Sequence, residues 1–507
     1  MLFSPSHFLI GIVKPKSNKT LFFALSSSPI SRGRSTKRAM ISLQRNAVAA
    51  AYGSRNNGPR TSAASSSLNG HHRRRVSVVV VIVAAAGDPG GTSTPSNANR
   101  GFRILERAGG LLPQSLLVKS TKAAWRAAWK TMVVELAPQD EGGAYARPRA
   151  AFTGEMRGPL PPEGETRYRF YLGNACPWCH RVLLALVVRG LAPAAPPIPG
   201  RSGPGPEAGG GRRRPVAVTA AADDAERASR GGWVFDASER EPAFGAPDLA
   251  RVYALANGGS YAGRCTAPLL LDARSRKIVS NDSDGILRSL DALDLSSSSS
   301  SIASRVLLRP KELVTQIDEL NDQVYADLAN GVYRCGFATE QSAYDRAAAG
   351  VARALDGLEA RLSGSRFLLG ERFTDADLRL FPVVARFDAV YVPLFRAAAG
   401  PIELRWPNVF QWCCDVARLD TSGRGGDTSE GIASCSPFSS RLGDTIDVAA
   451  ANRSYFTSLF PLNPSGIVPV GGGGGREAAA SWQAGEAAAA LARRRGSPAV
   501  DEVFWLR

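Results

Sequence analysis

The sequence predicts an α/β domain followed by an all-helical domain, both behind an N-terminal leader. Three observations carry that prediction. An aromatic-rich alternating stretch, RYRFYLG (167–173), runs into a Cys-x-x-Cys turn and then into the apolar stretch RVLLALVVRGL (181–191). Strand, Cys-x-x-Cys turn and helix, in that order, describe a thioredoxin-like domain. From Leu313 the pattern becomes helical: Leu313, Ile317, Leu320, Val324 and Leu328 recur every three or four residues, as do Val351, Leu355, Leu358 and Leu362. The third observation is charge. Residues 1–87 hold 13 Lys/Arg and no acid, Asp88 being the first, whereas the remaining 420 residues hold 49 basic and 45 acidic side chains.

The formal charge of +17 therefore belongs mostly to the leader, and the nearly balanced body argues against a nucleic-acid partner. An acid-free, Ser/Arg-rich N-terminus has the composition of an organellar transit peptide. Its hydroxylated, weakly amphipathic character favours a chloroplast address over a mitochondrial one. The apolar run VSVVVVIVAAAG (76–87) is too short for a membrane span, which needs about 20 residues. Residues 88–165 are read as a linker and N-terminal extension, with a helical pattern over 120–137. The thioredoxin-like domain spans 166–295, interrupted by a Pro/Gly-rich insertion at 192–214 that has no capacity to pack. Within it, PVAVTA (215–220) reads as a strand, and Leu269–Leu271 and Lys277–Val279 as a β-hairpin. A helix follows from NDSDGILRSL, and the Ser run 296–301 is a linker. The helical domain spans 310–470 with a loop insertion at about 422–445, and 471–507 reads as a disordered tail.

The stretch NACPWCHR (174–181) carries the chemistry. As Cys-x-x-Cys-His it has the form of a haem attachment site, but Met is scarce and the motif follows a strand. Zinc would need two more ligands at close spacing, and no second Cys-x-x-Cys exists. Neither metal nor haem is expected. The redox reading has a mechanism: unpaired N–H groups and the helix dipole at a helix N-terminus favour an anion, and so favour a thiolate. Cys176 is the first and more exposed thiol, Pro177 stiffens the first turn, and Cys179 lies about one turn in. His180, the one histidine outside the leader, and Arg181 are read as an exposed, solvated pair. Thr266-Ala267-Pro268, just before a strand, suits the proline, usually cis, that faces the reactive cysteine in thioredoxin-like folds. Asp282 and Ser283 are read either as a plain helix cap or as an anchor for a ligand carboxylate and ammonium. In RFTDADLRLF, Thr374 and Asp377 form a capping box with Phe373 and Leu378 as its staple, so Asp375 and Asp377 are not a catalytic pair.

Several segments together resemble one family. CPWCHR, GGWVFD, YAGRCTAPLLLD, IVSNDSDGILR, NGVYRCGFAT, RFDAVYV and NPSGIVPVG occur in the order found in the Xi-class glutathione transferases, the glutathionyl-hydroquinone reductases. The resemblance implies a glutathione transferase fold and glutathione as co-substrate, with Cys176 as the nucleophile that takes up glutathione from a glutathionyl-hydroquinone. It implies glutathione contacts from Trp233, Arg264, Cys265, Thr266, Ala267, Asp282 and Ser283. It makes Tyr333 the proton donor, with Tyr391 and Tyr455 lining the acceptor site and favouring the thiolate. Relatives dimerise, so a homodimer is implied as well. Cys179 departs from the family, which usually has Ala there, and so introduces a resolving thiol and the alternative of glutaredoxin-like thioltransferase chemistry. A non-catalytic adaptor built on the same fold is the reading from a different functional class. Asp282 stands where the family usually has Glu, and Ala267 where it has Val.

Overall fold

In the computed structural model, the described residues are 113–161, 165–192, 215–295 (without 225 and 239), 306–421 and 441–469, with a few isolated positions. Most of the leader to 87, the insertion at 192–214 beyond its first residue, the loop at 422–440 and most of the tail lie outside them. The chain divides into two units, Met1–Thr131 and Met132–Arg507. In the first, Leu9–Ile10 pairs antiparallel with Ile82–Val83. Helix α1 (Gln114–Leu136) covers the helical pattern expected there.

The second unit holds the two predicted domains. Its sheet is mixed, in the order β3-β2-β1-β4-β5: β1 (Tyr168–Gly173), β2 (Val216–Asp223), β3 (Trp233–Val234), β4 (Leu269–Asp272) and β5 (Lys277–Ser280). β1 runs parallel to β2 in the register Tyr168↔Val216 and antiparallel to β4 in the register Tyr168↔Asp272. Being central, β1 is buried on both faces, which is why its apolar residues do not alternate cleanly. Helix α2 (Pro177–Val188) is the crossover between β1 and β2, and almost every residue of it is buried. It starts four residues before the predicted stretch because Cys176 caps it and Pro177 supplies the fixed φ of its first turn. Helix α3 (Leu249–Ala256) and helix α4 (Ser283–Ala292) complete this layer.

The helical domain is built from α5 (Val314–Val324), α6 (Gly331–Phe337), α7 (Gln341–Leu362), α8 (Asp375–Arg386), α9 (Pro407–Arg418) and α10 (Val448–Ser458). The capping box is formed: Thr374 caps α8, and Asp377 closes back onto it while accepting Trp412 Nε1–H at 2.9 Å. Two π-helical turns, Tyr325–Ala329 and Phe387–Tyr391, extend α5 and α8. Such turns widen a helix locally and re-aim side chains, often at functional sites. An ionic ladder joins the layers: Arg379 on α8 reaches Asp284 on α4 and Asp375, and Arg309 bridges Asp375 to Asp318. The chain end is not free throughout. Trp505–Leu506 pairs with Val306–Leu307, and the carbonyl of Val503 accepts the Phe373 amide. Among the described residues no helix is long and apolar enough to cross a membrane.

Candidate active site

Cys176 sits where β1 ends and α2 begins. Its backbone is extended at φ −75° and ψ 121°, so it is the N-cap of α2, and His180 N–H donates to its carbonyl at 3.0 Å. Its thiol faces the carbonyl of Ala267 at 3.7 Å, and the Ala267–Pro268 bond is cis, as the motif reading expected. Cys176 is largely buried, at 9 % exposure. Burial raises a thiol pKa, but here it is outweighed. The thiol of Cys179 and the amides of Cys179 and Trp178 hydrogen-bond the Cys176 sulfur, and the Arg386 guanidinium adds positive potential, so the Cys176 pKa falls below the ordinary thiol value. The Cys179 thiol moves the other way. Burial, its hydrogen bond to Cys176 and the Cys176 charge push it well up, although Gly173 N–H donates to it at 3.2 Å. The two thiols are thus set apart, with the pKa of Cys176 lowered and that of Cys179 raised.

Arg386, at the end of α8, is 1 % exposed and brings the helical domain's charge to this turn. Its Nε–H donates to the Ala175 carbonyl at 3.0 Å, and Nη1–H to His180 Nδ1 at 2.9 Å. Because a guanidinium only donates, Nδ1 is an acceptor and His180 carries its proton on Nε2, which meets Thr445 Oγ1 at 2.7 Å. Burial, then the Arg386 charge, holds the His180 pKa well below the usual imidazole value. The expected solvated pair His180–Arg181 is therefore corrected, since both are buried. α2 lies between the sheet and the helical domain, so its whole first turn faces protein. Arg181 donates from Nε to Ser283 Oγ at 3.2 Å, and burial brings its pKa down to about 10.

Three tyrosines close the site from the helical domain. The Tyr333 and Tyr455 hydroxyls are 2.6 Å apart, and the rings of Tyr333 and Tyr391 are 5.9 Å apart. Burial raises the pKa of all three, so each hydroxyl keeps its proton at neutral pH, and the Cys176 charge contributes to each rise. Phe395 packs on Tyr333, Tyr391 and Tyr455, and a side chain at Gly336 would collide with its ring.

Comparisons with known proteins place the chain in a family. The glutathione S-transferase C-terminal domain family matches residues 341–413. Glutathionyl-hydroquinone reductase PcpF of Sphingobium chlorophenolicum is 31% identical over 352 residues, which cover 68% of this chain and 94% of that protein. The chain belongs to the glutathionyl-hydroquinone reductases, the Xi class of glutathione transferases. Glutathionyl-hydroquinone reductase YqjG of Escherichia coli is 30% identical over 347 residues, 65% of this chain and 89% of its own length. The crystal structure of the Xi glutathione transferase from Phanerochaete chrysosporium matches with a TM-score of 0.52 at 29% identity, covering 64% of this chain and 97% of that one. The fold is thus that of glutathione transferases, and the protein is an enzyme of this type.

Around Cys176, this Xi-class enzyme gathers Cys179, Ala267, Tyr333, Tyr391 and Tyr455. The remaining candidates form a rim on the sheet side. Trp233 on β3 lies against Gly173, where any side chain would strike the indole. Thr266 is held by two bonds: its Oγ1 accepts Asn281 Nδ2–H at 3.2 Å, and its carbonyl accepts the Tyr253 hydroxyl at 2.8 Å. Cys265 is buried, and burial raises its pKa. Asp282 caps α4, accepting the amides of Asp284 and Gly285 at 3.2 Å each, and the Ser283 hydroxyl oxygen accepts Arg181. Arg264 is exposed and donates to the Leu136 carbonyl at 2.9 Å. Sequence reasoning missed Arg386 and Arg147. They lie 210 and 29 residues from Cys176 in the sequence. Neither was given a role: Arg386 opens the segment RFDAVYV, and Arg147 is one of two basic residues between Tyr145 and Phe152 in a stretch read as linker.

Proposed function

We propose that this protein reduces glutathionyl-hydroquinones at the expense of glutathione, through the Cys176 thiolate. The observation that carries the reading is one constellation: a helix-capping cysteine of lowered pKa beside three buried tyrosines whose pKa values are raised. The relatives PcpF and YqjG bear the name glutathionyl-hydroquinone reductase. In the first half-reaction the thiolate attacks the glutathione sulfur of the conjugate, forming a Cys176–glutathione disulfide. The carbon–sulfur bond breaks, and Tyr333 supplies the proton that the aromatic carbon gains. A second glutathione, as thiolate, attacks the mixed disulfide, frees Cys176 and leaves as glutathione disulfide. Backbone at Ala267 and the side chains of Trp233, Arg264, Cys265 and Thr266 would hold the tripeptide, with its γ-glutamyl end at Asp282 and Ser283. A buried, hydrogen-bonded first turn keeps water from competing for the disulfide.

A second reading, thioltransferase activity on disulfides, is favoured by the hydrogen bond between the two thiols. There Cys179 attacks Cys176 of the mixed disulfide, releasing glutathione and leaving an intramolecular disulfide that further glutathione reduces. One experiment ranks them. Purified protein is given glutathione with glutathionyl-menadiol, and separately with the mixed disulfide of glutathione and mercaptoethanol. Release of menadiol, abolished in Cys176→Ser, is the expected result. Disulfide turnover with no menadiol release would replace the first reading by the second.

A further inference from the structure

Arg147 is a cation without an anion. It lies in the segment between α1 and β1, which the amino-acid pattern marks only as linker, and which is in fact stitched to the sheet and the helical domain. Phe152 N–H donates to Asn281 Oδ1 at 3.0 Å, Gly154 N–H to the Val279 carbonyl at 2.9 Å, and Thr339 N–H to the Gly143 carbonyl at 3.0 Å. This stitching lays the Arg147 guanidinium against the site. Its carbon stands 4.6 Å from the centre of the Trp178 ring, 4.8 Å from Tyr333 and 5.4 Å from Tyr145. Nε–H donates to Asn330 Oδ1 at 2.8 Å, a neutral partner that fixes the group without discharging it. Nη2 is buried with no hydrogen-bond partner, and among the described residues no carboxylate pairs with Arg147. A buried, unpaired donor on a charged group costs free energy in the resting protein and calls for a partner that arrives with the substrate.

We propose that Arg147 is a catalytic residue of the acceptor half-site, binding the quinol oxygen on which negative charge collects as the carbon–sulfur bond breaks. The inference rests on the hydroquinone reading above. Tyr333 gives its proton to the sulfur-bearing ring carbon, the adjacent phenol becomes a carbonyl, and the phenolic proton returns to the tyrosine oxygen. The Cys176 thiolate then attacks the glutathione sulfur. The new sulfur–sulfur bond forms, the carbon–sulfur pair flows through the carbonyl onto its oxygen, and the ring departs as an aromatic phenolate that solvent protonates. A guanidinium already held in place, beside the tyrosine that delivers the proton, stabilises that oxyanion without reorganising. A disulfide substrate develops no such oxygen anion, so Arg147 has no part in disulfide turnover.

That asymmetry is the test. Wild type, Arg147→Gln and Arg147→Lys are assayed on glutathionyl-menadiol and on the glutathione–mercaptoethanol disulfide, with thermal melts alongside. The expected result for Arg147→Gln is a loss of about 10²-fold or more in quinol turnover, the usual size for one oxyanion donor, with disulfide turnover within about twofold of wild type. Arg147→Lys, which keeps the charge without the fork, falls between them. Ring-halogenated quinol conjugates, whose phenolates need less stabilisation, lose less on the Gln substitution. Equal losses on both substrates in Arg147→Gln and Arg147→Lys would make Arg147 scaffold and overturn the proposal, as would no loss on either. If wild type itself turns over the disulfide and not the quinol, the hydroquinone reading fails first and takes this one with it.

Discussion

At the scale of single residues, the site sets two thiols apart, lowering the pKa of Cys176 and raising that of Cys179. Cys176 occupies the cap and Cys179 the third position of the same helix, so only Cys176 faces the free amides and the dipole. Cys179 is the donor that makes the arrangement asymmetric. Replacing it should therefore be felt at Cys176. In Cys179→Ala the thiol hydrogen bond is gone, burial of Cys176 is opposed by fewer groups, and its pKa rises. The measurement is the pH profile of Cys176 alkylation by iodoacetamide, whose inflection should move up by about one unit, about 1.4 kcal/mol of lost thiolate stabilisation. An unmoved inflection would mean that the amides and Arg386 suffice, and that Cys179 only fills space. Cys176 itself was legible from the sequence because its features are local: a Pro at the first helical position, a strand before, an apolar helix after. Arg147 and Arg386 were not, because each reaches the site across a long sequence separation that no local pattern records.

At the scale of elements, helix α8 shows how a boundary signal becomes a structural joint. Thr374 and Asp377 were readable as a capping box three residues apart, and the box is present. What the pattern does not contain is that Asp377 also accepts Leu368 N–H and Trp412 Nε1–H, each at 2.9 Å, tying α8 to α9 and to the turn before it. Asp377→Ala removes a cap and strands several buried donors at once. A loss of about 2–4 kcal/mol in unfolding free energy is expected, measured by urea denaturation. Asp377→Asn, which keeps one acceptor oxygen, should recover part of it. The β-hairpin β4–β5 and the cis-proline site were likewise written locally. The orientation of α2 was not: its first turn carries His180 and Arg181, charged or polar residues that composition assigns to solvent, and it is buried because a second domain lies on it. Domain-on-domain packing turned that expectation around.

At the scale of the whole second unit, His180 is the pin between the layers, lying on α2 and bound to Arg386 of α8 and Thr445 ahead of α10. Its pKa is depressed in the folded protein, by burial first and by the Arg386 charge second. Above about pH 6.5 both folded and unfolded chains hold it neutral, and it contributes no pH dependence. As pH falls below that value the unfolded chain takes up a proton that the native site refuses, so the stability it confers is progressively lost. The slope from one such group approaches about 1.4 kcal/mol per pH unit. Asp223 and Asp388, whose pKa values burial pushes up to about 6, work in the opposite sense over the same range. The informative quantity is therefore the difference between wild type and His180→Gln, which removes the titration and leaves the aspartates. Thermal midpoints measured from pH 8 to pH 5 should fall more steeply in wild type than in the variant, with the two curves diverging below about pH 6.5. Parallel curves would show that His180 becomes protonated in the folded protein. In that case Arg386 would have to move away from Nδ1, and with it the positive potential beside Cys176.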